Sequence, residues 1–394
     1  CESCGEIILA SDSELPVDPR ENYPQDKKCP KCNSVKIRGE FQVMDTWMTS
    51  SLTPLINARW KEKNNLMEKI YPMGVRVQAF EIIRTWLFYT LLKSHLHTNS
   101  LPWKTVMISG WGLAQDGKKM SKSLNNFITA ESMIKKYSAD AMRFWSCGAT
   151  LGMNLRFSEE DVRAGQILLT KLWNANRFVM MNLENYDRKT LIQREDLHPA
   201  DIWILSELYD LYDYVLNQFE IYEFAKAKFM LEHFFWTKFT DNYIELIKGR
   251  LYGENEKGKL SAQFTLYSII SAIIKLFAPM LPHITEEIYQ SFIRNDESPK
   301  SVHLTMWPKD PKYGKMRVSI DHDPIFSGDP QWLINKQEML ENGKVLIEII
   351  SDIRKIKTEK KIKLYEPVKN LRIVTEKDIF IEKVSEDWGL GGNR

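Results

Sequence analysis

The chain has 394 residues, a length that predicts two or three domains. Apolar residues make up 43% and charged residues 27%, as in an ordinary globular protein, and the net charge of +2 excludes binding of a polyanion by bulk charge alone. The stretch closest to a membrane span, 266–281, is interrupted by Ser268, Ser271, Lys275 and Pro279. It therefore falls short of the roughly 20 apolar residues that a span needs.

The first 40 residues are polar, rich in turns and contain four of the five cysteines. These form two Cys-x-x-Cys pairs, Cys1 with Cys4 and Cys29 with Cys32, separated by the 24 residues of 5–28. Two such turns place four sulfur atoms where one Zn²⁺ ion can be bound tetrahedrally, although the separation exceeds the usual roughly 15–20 residues. We therefore predict a structural zinc site, the alternative being four free thiols.

Beyond residue 40 the apolar pattern changes twice. Residues 104–112 are typical of a buried strand that ends in glycines, and 81–97 are typical of an apolar helix, so an α/β layer is predicted. From about residue 131 apolar residues recur at helical spacing, which predicts a helical bundle. Its helices are expected at 163–185, 200–219, 223–252 and 261–293, followed by a loop at 308–330, a basic helix after 335 and a strand at 370–380.

The segment 116–126 reads DGKKMSKSLNN and places lysines on both sides of a Met-Ser pair. Such a loop can surround a triphosphate, because phosphoryl and nucleotidyl transfers depend mainly on positioning and on stabilisation of charge. Lys119 and Lys122 would neutralise charge on a leaving pyrophosphate, while Ser121 and Ser123 would donate hydrogen bonds or shape the turn. The alternative is a solvated surface loop.

The letters KMSKS at 119–123 are those of the signature of class I aminoacyl-tRNA synthetases, and the chain resembles the valyl branch of this family along its length. The segments that carry the resemblance include FQVMDTWMTSSLTP at 41–54, IIRTW at 82–86, ADAMRFW at 139–145 and APMLPHITEEIY at 278–289. The leucyl and isoleucyl relatives differ in the first two of these segments.

The resemblance implies an α/β plus all-α chain that forms the C-terminal half of such an enzyme. Its expected parts are a zinc-ribbon-like knob (1–40), the second half of a Rossmann catalytic domain with the KMSKS loop (41–135), a connecting junction (136–165), a helical anticodon-binding domain (166–335) and a basic C-terminal region (336–394). The His-x-Gly-His motif and the editing domain of the family are absent, and we expect both to lie upstream of Cys1.

The resemblance also implies roles for individual residues. Lys119 and Lys122 would act in catalysis. ATP would be bound by Glu81, Gly110, Gly112, Met120, Ser121 and Ser123, and the valine side chain by Trp47, Ile82 and Trp86. Separately, basic residues interleaved with aromatic ones in the helical domain, Arg177, Lys248 and Arg250, and two members of a basic cluster near 354–363, Arg354 and Lys357, are predicted to bind tRNA. Without the resemblance, the tryptophans are equally well explained as core, Glu81 as an acid favoured at a helix N-terminus, and the basic residues as solvated helix faces.

The activity implied by the resemblance is ATP- and Mg²⁺-dependent activation of valine, followed by its transfer to tRNA(Val). The expected partners are therefore valine, ATP and tRNA(Val), with no membrane partner, in a cytoplasmic monomer. One departure from the family is Phe80, which stands where a polar residue is usual. Two alternatives stay open: a tRNA-binding fragment without ligase activity, and an isoleucyl enzyme.

Overall fold

The computed structural model describes residues 1–18, 20–21, 27–62, 65–121, 123–187, 192, 194–294, 299–305, 307 and 336–363. The predicted loop at 308–330, the predicted strand at 370–380 and Lys122 lie outside the described residues. The chain divides into two compact units, Cys1–Ile108 and Ser109–Arg394.

The first unit contains the cysteine-rich turns, short helices and one strand pair. Strand β1 (Met73–Ala79) pairs with β2 (Trp103–Ser109), which confirms the strand predicted in this region. The helix predicted at 81–97 is present but irregular: a 3₁₀ turn and a π-helical turn precede its α-helical part, and Asn99 ends it in the left-handed conformation with φ 53°. The helices are α1 (Thr46–Ser50), α2 (Thr53–Asn57), α3 (Leu66–Ile70) and α4 (Phe88–Thr98).

The second unit is mainly helical. A short strand β3 (Gly112–Leu113) runs parallel to β4 (Leu155–Arg156), with Gly112 opposite Leu155. The helices, which confirm the predicted bundle, are α5 (Ala130–Lys136), α6 (Ala139–Ser146), α7 (Glu159–Asn182), α8 (Pro199–Glu220), α9 (Phe224–His233), α10 (Ile244–Tyr252), α11 (Glu256–Phe277), α12 (Pro282–Ile288) and α13 (Lys336–Glu359). A π-helical stretch, Phe234–Tyr243, joins α9 to α10 without a break.

Helix α11 lies at the centre of the bundle core. Nearly every residue from Ser261 to Phe277 is buried, because apolar side chains surround this helix on all sides. Contrary to the expectation from 266–281, this helix is long and apolar enough to cross a membrane by length and composition, alone among the described residues, but 94% of its apolar window is buried inside the protein. That burial is expected of the core helix of a bundle.

Helix α6 is fixed to the start of α12 by two side chains. The Asp140 carboxylate accepts hydrogen bonds from the backbone N–H groups of His283 (3.1 Å) and Ile284 (2.7 Å), which would otherwise lack partners at the helix N-terminus. Arg143 donates to the carbonyl oxygens of Pro279 (2.7 Å) and Met280 (3.2 Å). The connecting junction and the bundle are therefore joined by contacts between residues far apart in the sequence.

A buried ion pair crosses the bundle core. Both oxygens of Asp201 on α8 accept from the guanidinium of Arg250 on α10, at 2.7 and 2.8 Å, and the Tyr243 hydroxyl donates to the same carboxylate at 2.6 Å. The Ser261 hydroxyl is a further donor. Asp201 is fully buried and Arg250 is 3% exposed, so each charge depends on the other for its stabilisation.

A glycine lets α13 pack closely on the bundle. A Cβ atom at Gly343 would lie 1.9 Å from Cδ1 of Trp203, and that indole is itself fully buried. Only a residue without a side chain fits this contact between α13 and α8.

We therefore expect Gly343→Ala to destabilise the protein by about 1–3 kcal/mol, the usual cost of overpacking a core. Ordinarily alanine is favoured over glycine inside a helix by roughly 1 kcal/mol. A decrease in the free energy of unfolding would therefore point to the close packing and not to helix propensity. Urea unfolding measures the difference, and Gly249→Ala, at an exposed position of α10, is the matched control that should be neutral or stabilising. A Gly343→Ala protein at least as stable as the parent would contradict the close packing.

Candidate functional site

The lysine-rich loop begins as a tight hairpin on β3. The Ala114 N–H donates to the carbonyl of Lys118 at 2.8 Å, and Gly117 turns the chain in the left-handed region with φ 81°. As a result Lys119 returns to a position directly opposite Leu113, to which it is paired in antiparallel fashion. The other edge of β3 is occupied by β4, so the start of the loop is held on both sides.

The side chain of Asn126 closes the loop. Its Oδ1 accepts from the Ser121 N–H at 2.8 Å and its Nδ2 donates to the Lys119 carbonyl at 3.3 Å. The hydroxyls of Ser121 and Ser123 lie 2.6 Å apart, and Asn125 adopts the left-handed conformation with φ 51°. The two serines therefore contact one another and shape the turn, which is one of the two roles predicted for them.

Acidic, aromatic and apolar groups lie next to the side chains of Lys118, Lys119 and Met120, respectively. Met120 is partly buried against the core of the bundle, so it anchors the loop. The Lys118 ammonium lies 4.0 Å from the Asp116 carboxylate, whereas the Lys119 Nζ lies 4.6 Å from the centre of the Trp111 ring. Lys119 is exposed and so remains accessible to an anion.

The two glycines before the loop differ in their surroundings. A Cβ at Gly110 would lie 2.1 Å from the carbonyl oxygen of Met153, whereas a Cβ at Gly112 would meet no atom within 4 Å. Gly110 is thus required by the approach of the chain's own backbone at 153–154, where the Asn154 side chain accepts from the Trp111 N–H at 2.9 Å. A close approach of adenine to either glycine stays a prediction.

In the first unit, the predicted amino-acid pocket residues lie on α1 and on the turns that precede α4. The Trp86 indole N–H donates to the carbonyl of Ser50 at 3.1 Å, which ties the turn carrying Trp86 to the helix carrying Trp47. Trp47, Ile82 and Trp86 are all half-buried. Glu81 is exposed in the 3₁₀ turn that directly follows β1.

An arginine that was not predicted lies against this turn. The guanidinium carbon of Arg76 is 3.3 Å from the centre of the Trp86 ring and 4.8 Å from that of Trp103. Burial lowers the pKa of Arg76 to about 10, so it stays charged at neutral pH. Contact between a cation and aromatic faces stabilises the orientation of both groups, so Arg76 fixes the position of Trp86.

The four predicted zinc ligands lie together. Their Sγ atoms are all within 4.8 Å of one another, with Cys1 3.6 Å from Cys32 and Cys4 3.6 Å from Cys29. Four sulfur atoms at about 2.3 Å from a tetrahedral zinc would be separated by roughly 3.8 Å, so the cluster fits the ion.

The two cysteine turns have the same local geometry. Gly5 donates its N–H to the Cys1 carbonyl and Asn33 donates to the Cys29 carbonyl, both at 2.9 Å, and both residues are left-handed, with φ 73° and 57°. Burial by itself would raise the pKa of the Cys29 thiol, but the backbone N–H groups of Cys32 and Lys31 outweigh it and lower this pKa to about 7. A substantial fraction of Cys29 is therefore deprotonated near neutral pH, and the thiolate is the form of cysteine that binds a metal.

The basic residues predicted to bind tRNA have different environments. Arg177 is exposed on α7, and Lys248 on α10 is bound to Glu245 at 2.7 Å. Arg354 on α13 donates to the Asn242 side chain at 3.0 Å and to the Asp241 carbonyl at 2.6 Å, while Lys357 is half-buried. Arg354 therefore helps to attach α13 to the bundle.

Arg250 corrects one prediction. It was predicted to contact tRNA, but its guanidinium is buried in the ion pair with Asp201 described above. A buried cation whose charge is compensated inside the core cannot reach a partner in solvent, so its role is structural. No signal in the local sequence distinguishes this arginine from the exposed Arg177 on α7.

Two models of protein domain families match the sequence of this chain. The family model described as tRNA synthetases class I (I, L, M and V) matches residues 15–158, and that described as the anticodon-binding domain of tRNA ligase matches residues 201–373. The chain therefore belongs to the class I tRNA synthetases. Its curated relatives include the valine–tRNA ligases of Rickettsia felis, 37% identical over 94% of this chain and 41% of the relative, and of Wolbachia pipientis, 39% identical over 94% and 40%.

Solved structures of the same class share the fold. A ternary complex of the Agrobacterium radiobacter LeuRS with tRNA and LeuAMS has a TM-score of 0.58, is 20% identical and covers 73% of this chain and 35% of that one. The Mycobacterium tuberculosis methionyl-tRNA synthetase with methionyl-adenylate has a TM-score of 0.52, is 18% identical and covers 62% and 49%. The chain itself spans about two fifths of the length of the curated valine–tRNA ligases that it matches.

Proposed function

We propose that this chain serves in a valine–tRNA ligase, which activates valine with ATP and Mg²⁺ to valyl-adenylate and then transfers it to tRNA(Val). The observation that carries the proposal is the similarity to valine–tRNA ligases over 94% of the chain. No side chain of this chain needs to act as a nucleophile, because the valine carboxylate itself attacks the α-phosphate. Its residues would act by orientation and by stabilisation of charge.

The KMSKS hairpin supports a role in ATP binding. It presents the exposed ammonium of Lys119 on a loop whose ends are held by β3 and by Asn126. We propose that Lys119 and Lys122 stabilise the charge of the leaving pyrophosphate, that the loop residues Met120 to Ser123 enclose the phosphates, and that Glu81 accepts hydrogen bonds from the ribose hydroxyls. Mg²⁺ would bridge phosphate oxygens and add to this charge stabilisation.

The half-buried indoles of Trp47 and Trp86 and the side chain of Ile82 would form the walls of the valine pocket. Rigid apolar walls suit a small branched side chain, although a hydrophobic pocket of this kind discriminates only modestly between valine and its isostere threonine. For tRNA, Arg177, Lys248 and Lys357 remain candidates, since phosphate contacts need accessible cations.

The proposed activity is tested by valine-dependent ATP–pyrophosphate exchange. The assay compares the chain alone with the chain supplemented by the part of the Rickettsia felis enzyme that lies outside the matched region. We expect exchange with valine but not with isoleucine in the supplemented sample, and none with the chain alone. Exchange with isoleucine only would favour the isoleucyl alternative, and tRNA binding without any exchange would favour a tRNA-binding fragment.

We also propose that Cys1, Cys4, Cys29 and Cys32 bind one structural Zn²⁺ ion, and that the protein is a cytoplasmic monomer. The mutual distances of the four sulfur atoms support the metal site.

Metal analysis after dialysis should find one zinc ion per chain in the parent protein and none in Cys29→Ser, because three thiolates and a hydroxyl bind zinc far more weakly than four thiolates. The matched control is Cys147→Ser, which replaces a half-buried cysteine outside the cluster and should retain the ion. A zinc-free parent protein, or retention of zinc by Cys29→Ser, would argue against the site.

A further inference from the structure

The first residue of the KMSKS string has a defined neighbour directly before β3. The Lys119 Nζ lies 4.6 Å from the centre of the Trp111 ring, within the distance at which an ammonium and an indole attract one another. Trp111 is half-buried, so one face of its ring is available to the lysine while the residue stays attached to the bundle unit.

The register of the hairpin produces this contact. Lys119 is directly opposite Leu113, and Trp111 is two residues before Leu113. Side chains two residues apart in an extended segment point to the same face, and the diagonal neighbour across an antiparallel pair is within reach of long and aromatic side chains. The register therefore places the indole of Trp111 within reach of the Lys119 side chain.

The backbone of Trp111 is held rigidly. Its N–H donates to Oδ1 of Asn154 at 2.9 Å and its carbonyl accepts from the N–H of Leu155 at 2.8 Å. Gly110, the residue before it, packs against Met153 so closely that no side chain would fit. The indole is thus a fixed platform, whereas the lysine on the loop opposite it is exposed.

The two neighbouring lysines of the loop lie against groups of different kinds. The Lys118 ammonium lies near the Asp116 carboxylate, and the Lys119 ammonium lies over an aromatic face. An indole orients an ammonium without neutralising it. The contact with Trp111 is therefore compatible with attraction of an incoming triphosphate by Lys119.

We propose that Trp111 is a positioning residue that holds the Lys119 ammonium in a defined place before the nucleotide binds, and that the phosphates draw Lys119 from the indole face. This inference rests on the proposed function. Loss of the indole should remove the competition for Lys119 and so strengthen MgATP binding by about 2–5-fold, the range that corresponds to an exposed cation–π contact.

The test is NMR of the whole chain labelled in its lysine side chains, with the Lys119 signals assigned through Lys119→Arg. In the parent protein the Lys119 methylene signals should be shifted upfield by the ring current of Trp111, and in Trp111→Leu this shift should disappear. Trp111→Phe, which keeps an aromatic face, should retain part of it. The Lys118 signals are the internal control and should not change.

Addition of MgATP to the chain supplemented by the remaining part of the Rickettsia felis enzyme should abolish the upfield shift in the parent protein, and the dissociation constant of MgATP should fall by about 2–5-fold in Trp111→Leu but less in Trp111→Phe. The ring-current shift and its loss in Trp111→Leu test the contact between Trp111 and Lys119. If both are observed but MgATP moves no lysine signal, the contact exists, and the proposal that the phosphates draw Lys119 from the indole is wrong. An unshifted Lys119 in the parent protein, or one unaffected by Trp111→Leu, would overturn the inference.

Discussion

Replacement of Asp201 by asparagine is expected to destabilise the protein by about 3–5 kcal/mol, which is the usual cost of leaving one member of a buried ion pair without its partner. The Asp201 carboxylate accepts from Arg250, Tyr243 and Ser261 inside the core. A neutral amide of the same shape leaves the buried guanidinium uncompensated and turns one acceptor into a donor that faces other donors. Urea unfolding at neutral pH measures the loss.

Asp210→Asn is the matched control, since Asp210 lies on the same helix and its carboxylate binds Lys336 at the surface. Exposed pairs contribute about 0–1 kcal/mol, so this variant should unfold close to the parent. A double replacement of Asp201 and Arg250 should cost less than the sum of the two single replacements, because each single one includes the same unpaired charge. Additive losses would show that the two residues do not depend on each other.

The contribution of Asp201 should also depend on pH. Burial alone would raise the pKa of this carboxyl, but the Arg250 guanidinium and the hydrogen bonds hold it below its usual value. A group with a depressed folded-state pKa stabilises the fold above its unfolded pKa of about 3.9, and this stabilisation is lost as the pH falls through the folded-state pKa. The difference between the parent and Asp201→Asn should therefore be constant near neutrality and shrink in acid.

Lys119→Ala should lower the rate of valyl-adenylate formation about 100–1,000-fold in the supplemented enzyme, as expected when one preorganised group that stabilises transition-state charge is removed. Valine binding should be nearly unchanged, because the charge develops on the leaving pyrophosphate and not on the amino acid. Lys122 lies outside the described residues, and we expect Lys122→Ala to have the same two effects. Single-turnover adenylation and equilibrium valine binding separate the two effects.

Lys118→Ala provides the control for this experiment. It removes another exposed cation of the same hairpin, one that lies near Asp116, so its loss should change the rate only a few-fold. Equal losses in Lys118→Ala and Lys119→Ala would mean that the loop acts through its total charge. Equal losses of adenylation rate and valine binding in Lys119→Ala would count against a pyrophosphate role.

Contiguous patterns were predicted well from the sequence. The KMSKS string, the two Cys-x-x-Cys pairs and the helical periodicity after residue 131 each concern residues close together in the chain, where spacing reflects local geometry. The contact of Trp111 with Lys119 was not predicted, because it depends on the register of a hairpin. The Asp116-Gly117 dipeptide, a common turn signal between two paired segments, could have indicated that hairpin.

Interactions between distant residues explain the remaining errors. Arg250 was assigned to tRNA because a cation among aromatic residues resembles a nucleic-acid surface, and its burial follows only from the packing of α8 against α10 and α11. Arg76 was missed for a related reason. Arg76 alternates with Val75 and Val77 on β1, and in such a pattern the valines are usually expected to face the core. Here the arginine is the buried residue: Arg76 is 8% exposed, whereas Val75 is 40% and Val77 is 52% exposed.

The link between α6 and α12 has a consequence for how the second unit assembles. Asp140 and Arg143 find their partners more than 130 residues later in the chain, so the intervening segment must be closed into a loop before either interaction can form. Loop closure of that length costs entropy that local helix formation does not. The hairpin of the KMSKS loop can form early from neighbouring residues, and α6 can pack early on α7, whereas the bonds from Asp140 and Arg143 to the segment 279–284 form only after that later part of the chain has been synthesised.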